Sequence, residues 1–586
     1  MRRGVVPGLG FVLCASLAVG GAGVRPEAAQ AAARSESAAA RVKAQCPQTA
    51  TADDRAKARR IMAGWLDVPG FGAARIGTSG DIDWHADPFH HPSWVARFQG
   101  LAWVQPLLIG ATRDSARAKR AAAILRDFLA DNPVPAVPDL AAWEPTVTAK
   151  RALTLVCATT ALGRPPWLMS GLTAHGKLLS EQWSGAWNRG AFEIRGLLAL
   201  GCFTGNAGWM ELARSRVAAS FEDNLRGPAI DTDGASNEQA LGYSRTVYYV
   251  WQEVARELVR CGLSVPDVLT ERLPLLLGFL AGATMPDGHL VPLGDTYGSL
   301  PPPLVRGTPA EYAATLGAQG EPPADVVGVY AGGYVFGRSG WGTERPFGAE
   351  SFYSLRFGPG RQLHGHNDHQ AITWYAGGRP LLVDSGHVGY APDAYRDYLR
   401  SARAHNVLVA PDSPLDGSAV TALERQDIET NAQYFEVADD AIGARRIRNV
   451  LFLQHPDMIV VLDRVIGGPF RRYDQLWHLP PDLQATSVTP NEARATDPAG
   501  NGLTVLSVPM LGQLSSPSIG YVRGAEQPYQ GWVSGELGQR EPAGVITVSQ
   551  VAQNPTFLTV LVASDPGTAV RADFLGVSPL GGVLTL

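Results

Sequence analysis

The chain is poor in cysteine, has no second long apolar run after its start, and carries no excess of positive charge. Each shortage removes a class of protein. Five Cys in 586 residues, with no C-x-x-C pair, argue against a zinc knuckle. The one apolar, small-residue run, Val5 to Gly20, follows Arg2 and Arg3 and leads to Ala29-Gln30-Ala31, an A-x-A cleavage pattern. The run is short for a bilayer span, and Cys14 within it lacks the small residues that precede a lipidated Cys. We read residues 1–31 as a signal peptide rather than an anchor, and expect a secreted protein, extracellular or periplasmic, that engages no membrane. Without those residues the formal charge moves from −5 to −7, with 47 basic against 54 acidic residues. Such a chain has no global attraction for nucleic acid, and a polyanionic ligand would need positive charge local to a cleft. No fixed-period repeat marks a regular solenoid, and no H-E-x-x-H marks a zinc protease. The four remaining Cys (46, 157, 202 and 261) suit one or two disulfides in an oxidising compartment, or buried thiols. Spacing leaves the pairing open.

What is present points to two domains, since more than 500 residues exceed a single core. From about Thr51 to Leu290 the apolar spacing is helical. Ala116 to Ala130 repeats apolar residues three and four apart and stops at Asp131-Asn132-Pro133. Similar stretches run over 150–163, 190–205, 209–225, 243–262 and 267–282. Paired amphipathic helices over some 250 residues suit an α/α toroid. Pro- and Gly-rich sequence around 298–303 and 320–323, with one short helix between, predicts a linker. Beyond Val327 the runs are short, β-branched and aromatic, as in 352–357, 371–375, 381–383, 458–462 and 558–562. The expected fold is α+β and multidomain: a helical toroid over 50–295, a linker over 296–326, and an antiparallel β-sandwich over 327–586.

The densest polar cluster is His364-Gly365-His366-Asn367-Asp368-His369. On an extended backbone His364 and His366 face the same side. Asp384 and His405 follow on neighbouring predicted strands, and His366, Asp384 and His405 make an N,O,N set of the kind zinc accepts. Five of the twelve His fall between 364 and 405, which argues against chance scatter, although Asp384 before Ser-Gly is also a natural turn former. In the helical half, Asn188 opens a helix with Glu193 about a turn later, and the polar stretch Asp231 to Gln239 leads to Gly242-Tyr243. Singly, Asn188 reads as a cap and Tyr243 as an aromatic core residue.

Together, and in this order, these stretches resemble the heparinase II/III-like lyases. The resemblance covers roughly residues 80–480 and rests on Asn188-Arg189-Gly190, the Asp-Gly…Asn-Glu-Gln…Gly-Tyr stretch, His364 to Asp368, Gly378 to Gly386, and Arg403-Ala404-His405-Asn406, with Tyr334 to Trp341 as the entry to the β domain. It implies an incomplete (α/α) toroid packed on a β-sandwich, with a substrate cleft between them. It also implies Asn188 at the uronate carboxylate, Tyr243 and His364 as proton-transfer groups, and a structural zinc on His366, Asp384 and His405. Arg189, Glu193, Glu238, Gln239 and Arg361 are further candidates for substrate contact. Two positions depart from the family pattern: Arg189 and Ser244 stand where His is common. The implied reaction is β-elimination on a uronic-acid polysaccharide, heparin-like or alginate-like. Removal of the weakly acidic C5 proton requires donors on the carboxylate, and each such donor is worth ~3–4 kcal/mol. If proton and leaving group share a face, Tyr243 serves as both base and acid; if they do not, His364 is the base and Tyr243 the acid. A glycoside hydrolase would instead need two carboxylates, for which Glu193, Asp233 and Glu238 are placed. A hydrolytic zinc site would need a base such as Asp368. A carbohydrate-binding protein would need only aromatic platforms such as Trp187, Tyr248 and Trp374.

Overall fold

The computed structural model describes residues 46–79, 81–134, 142–454, 456–510 and 515–564, and the backbone of two further strands, Asp573–Ser578 and Gly581–Thr585. The expected signal peptide lies outside these residues.

The N-terminal region is helical. Ala116–Asp131 starts where the Ser115 hydroxyl accepts the Ala118 N–H and ends at Asn132, before Pro133. It buries Ala118, Ala121, Ile124, Leu125 and Phe128, the stripe its three- and four-residue spacing demands. Pro145–Leu162, Pro166–Glu181, Ala207–Phe221 and Leu241–Arg260 all pack around Asn188–Thr204. The second half of that helix, Gly196 to Phe203, reads as nearly continuous apolar sequence because it is buried throughout. Two glycines permit its position. A side chain at Gly196 would meet the Ala149 backbone at 2.9 Å, and one at Gly190 would clash with the Gly185 carbonyl. Two disulfides, Cys46–Cys157 and Cys202–Cys261, tie the helices further. A short hairpin, Trp65–Asp67 with Ala73–Arg75, was not anticipated from the helical spacing.

The C-terminal region is built from antiparallel sheets. A five-stranded meander runs from Val327–Tyr330 through Tyr334–Arg338, Phe352–Arg356 and Ile372–Ala376 to Arg379–Leu382. Eight strands form the largest sheet, in which Met458–Ile466 pairs with Arg445–Leu453 on one side and Thr556–Ser564 on the other. In Met458–Ile466 the buried Ile459, Val461 and Val465 alternate with half-exposed neighbours, the period-two signature of a strand. A four-stranded sheet includes Arg471–His478 and Gly544–Ala552. One apolar core draws on all three sheets, through residues such as Leu355, Val450 and Trp477. The helical core instead continues onto the five-stranded sheet through Tyr334, Phe336, Phe352 and Tyr375. That continuity brings the first C-terminal loops against the helices.

The stretch expected as a linker is packed. Its helix Pro309–Ala314 buries Tyr312 and Ala313 against Ala281, Trp341 and Phe347, and the Thr296 hydroxyl accepts the Gly242 N–H at 2.9 Å.

Candidate active site

The residues that carry polar chemistry meet where the helices face the loops of the five-stranded sheet. Asn188 is the first residue of its helix, and both its backbone N–H and its side-chain amide donate to Glu238 Oε1, at 2.6 and 3.0 Å. Glu238 is fully buried, and burial raises its carboxyl above the usual range. Three residues later the helix Leu241–Arg260 begins, which places Tyr243 in its first turn. The Tyr243 ring lies flat on His364, with centroids 3.4 Å apart and 7° between the planes. The two halves of the chain touch here through backbone as well: the His364 N–H donates to the Glu238 carbonyl, and the Asp295 N–H to that of His364.

Hydrogen-bond partners orient the imidazole. His364 Nδ1 lies 3.3 Å from Asp295 Oδ2 and 3.1 Å from the Tyr390 hydroxyl. Tyr390 donates to Asp295 Oδ2 at 2.9 Å, so its oxygen is free to accept from the Tyr243 hydroxyl, 2.6 Å away. A neutral ring protonated at Nδ1, toward Asp295, presents its Nε2 lone pair to the Asn188 amide, 3.5 Å away; Glu238 Oε2 lies at the same distance from Nε2. Burial pushes the Tyr243 hydroxyl above its ordinary value, and the nearby Asp295 and Glu238 carboxylates add to that. Its ionised form is therefore disfavoured.

Asp295 is the hub of this cluster. Besides His364 and Tyr390 it takes His366 Nε2 at 3.2 Å, His387 Nδ1 at 3.0 Å, and Arg396 Nη1 and Nη2 at 3.3 and 3.2 Å. Burial opposes its charge, but the hydrogen bonds from the three histidines hold its carboxyl well below the ordinary range.

The sequence-derived candidates divide clearly. Asn188, Glu238, Tyr243 and His364 converge. Arg189 lies beside them, stacked over Trp187 and 3.5 Å from Glu144 Oε1. Arg361 is exposed in the loop before His364. Glu193 and Gln239, expected at substrate, are buried and committed elsewhere. Glu193 accepts from the Ser184 N–H and hydroxyl and from Thr146. Gln239 holds the opposite loop, donating to the Pro359 and Gly360 carbonyls and accepting from the Gln362 N–H. Both tie neighbouring segments together through these bonds.

His366, Asp384 and His405 also converge, each offering a ligand atom within 4.8 Å of the others. The expected placement on strands does not hold: His366 and Asp384 lie in irregular loops and His405 in a bend. The donor set fits a metal. His366 Nδ1 and His405 Nε2 are buried without a hydrogen-bond partner among the described residues, while their other nitrogens are oriented by Asp295 and Asp384.

The fold is similar to those of several solved polysaccharide lyases. Heparinase III superposes with a TM-score of 0.76 at 16% identity, over 94% of this chain and 93% of that one. The heparan sulfate lyase of Pedobacter heparinus gives 0.66 at 18% identity, over 94% and 90%. The chondroitin AC lyase of Streptomyces coelicolor A3, solved with chondroitin sulphate, gives 0.53 at 11%, over 90% and 82%. No curated protein matches the sequence. Residues 335–563 match the family model for the heparinase II/III-like C-terminal domain. The C-terminal region is thus a heparinase II/III-like domain, and the chain as a whole shares the fold of the solved polysaccharide lyases.

Sequence reasoning missed four residues of this polar cluster: Asp295, His387, Tyr390 and Arg396. His387 lies among the five clustered histidines and carried a usable signal. Asp295 stands alone after the apolar Leu290 to Leu293 stretch, at the edge of the expected helical domain, and its role exists only through its partners.

Proposed function

We propose that this lyase is a secreted enzyme that cleaves a uronic-acid-containing polysaccharide by β-elimination, with His364 as base and Tyr243 as acid. The observation that carries the reading is the stacked Tyr243–His364 pair beside Asn188, with opposite ends of the imidazole facing Asp295 and the Asn188 amide. Asn188 would hold the substrate carboxylate and stabilise the negative charge that grows on it as the C5 proton leaves. His364 Nε2 would take that proton, its ring held by Asp295 and Tyr390. Tyr243, kept protonated by burial, would pass its hydroxyl proton to the departing 4-linked oxygen. Tyr390 lies in hydrogen-bond reach of both Tyr243 and His364 and can return the proton between turnovers. This division of labour corresponds to proton and leaving group on opposite faces of the sugar.

Heparan- or chondroitin-type uronides are favoured over alginate, because the similar solved structures are named as heparinase, heparan sulfate lyase and chondroitin lyase. The helix pairs around Asn188–Thr204 support the incomplete toroid, and the core shared by the three sheets supports the β-sandwich. Zinc on His366, Asp384 and His405 would fix the segments that carry them. His366 bonds the same Asp295 that orients His364, so this anchoring bears on the aim of the base. The two disulfides agree with export. The hydrolase alternative loses support, because Glu193 is buried and fully engaged by Ser184 and Thr146.

Heparin, heparan sulfate, hyaluronan, chondroitin and alginate, each incubated with the protein and followed by ultraviolet absorbance, test this reading. A new conjugated double bond is expected with at least one of them. New reducing ends without absorbance would establish hydrolysis instead. On the active polymer, Asn188→Ala is expected to lower kcat more than it raises KM, and a change confined to KM would reduce Asn188 to a positioning contact.

A further inference from the structure

The protein is acidic overall, so any affinity for a polyanion must be local. The short helix Ala394–Leu399 carries Arg396 near its middle and Arg400 at its C-cap. Four residues apart, the two point to one face. Arg396 is engaged: it holds Asp295 with two nitrogens and donates to the Gly389 carbonyl at 2.7 Å. Arg400 is not. Its Nε is buried with no hydrogen-bond partner, and it forms no ion pair among the described residues. Its carbonyl accepts the Asn367 N–H at 3.0 Å, which seats this helix end on the His364–Asp368 loop. The charges that act on it are those of Arg361, Asp295, Arg396 and Tyr390, and two of the four repel it. Arg361, in the same loop, is exposed and also forms no ion pair among the described residues. Two neighbouring guanidinium groups at this cluster, one half-buried and neither in an ion pair among the described residues, gain from an anion that joins them.

We propose that Arg400 and Arg361 form an anion-binding subsite on the sheet side of the cleft, which takes a carboxylate or sulfate group of the sugar adjoining the scissile bond. This rests on the lyase reading above and extends it to substrate selection. The planar forks suit bidentate recognition of either group. An aliphatic packing role for the Arg400 stem is the competing account.

Steady-state kinetics of Arg400→Met and Arg361→Ala, on a polymer the parent enzyme cleaves, test the proposal. Each variant is expected to raise KM roughly tenfold or more while kcat stays within about twofold, and to flatten the dependence of KM on salt. Arg400→Lys should recover part of the loss. Oligosaccharides with reduced carboxyls and others without sulfate identify the anion, since the one that lacks the recognised group should no longer distinguish parent from variant. An unchanged KM in both variants overturns the subsite, as does a loss limited to kcat or to Tm. Should Arg400→Met fail to fold, the exposed Arg361→Ala decides by itself. If the parent cleaves none of the polymers, the lyase reading fails separately, and calorimetric titration with the same oligosaccharides still decides the subsite. Weaker binding by Arg361→Ala supports it, and equal binding refutes it.

Discussion

Tyr243→Phe keeps the ring that stacks on His364 and removes only the hydroxyl bonded to Tyr390. Stability should change by about 1 kcal/mol, the scale of one hydrogen bond, while kcat falls by ~10²–10⁴, the scale of a lost general acid. Near-normal turnover in a folded variant would end the proposed mechanism. Asp295→Asn tests the hub. It keeps the shape but removes the charge that Arg396 and three histidines share. We expect kcat to drop at least about tenfold with a smaller change in KM, because the residue orients the base and touches no substrate. Parent-like kcat in Asp295→Asn would show that His364 is aimed by something else. Asn188, Tyr243 and His364, which the structure brings together, were singled out by the family resemblance, since each alone reads as an ordinary cap, core aromatic or loop histidine. Asp295 and Tyr390 were not, because a carboxylate and a phenol gain their meaning only from what surrounds them.

At the scale of elements, buried arginines of the largest sheet reach out and hold the loops that carry the cluster. Arg448 pairs with Asp463 at 2.7 Å and donates to the Gln370 and Asn406 carbonyls, next to His369 and His405. Arg446 pairs with Asp439 at 2.7 Å, and Asp439 in turn accepts from Gln370 and Thr421. Arg446→Leu would leave Asp439 charged and buried, and should cost about 3–5 kcal/mol in denaturant unfolding. Burial opposes the Asp439 charge, but Arg446 holds its carboxyl below the ordinary range. The pair's contribution is therefore complete above an unfolded pKa near ~3.9 and is lost as pH falls through the lower folded value. A pH-independent difference between Arg446→Leu and the parent would refute that account. Purified protein should hold about one zinc per chain, and His405→Ala should lose it and melt at lower temperature. Active protein that takes up no zinc would leave a hydrogen-bonded cluster of His366, Asp384 and His405.

For the whole molecule, the disulfides make a separate prediction. Cys46–Cys157 closes a loop of 111 residues, and such a crosslink is worth about 4–5 kcal/mol in the chain-entropy account. Reduction should therefore lower Tm by several degrees, while Tyr243 and His364, outside both bridges' immediate contacts, keep their arrangement until unfolding. An unchanged Tm after complete reduction, verified by thiol titration, would refute the stabilising role.

Sequence by itself determined the helical half and the strand-rich half, because periods of 3.6 and 2 are written locally, while Asn188, Tyr243 and His364 stood out only through the order of their motifs. The tertiary structure decided the rest. It chose Cys46 for Cys157, and it committed Glu193 to Ser184 and Gln239 to the Gly360 carbonyl. It also made Asp295 the shared partner of His364, His366, His387 and Arg396. Distances between residues far apart in the chain set hydrogen bonds, burial and charge, and no local period encodes them.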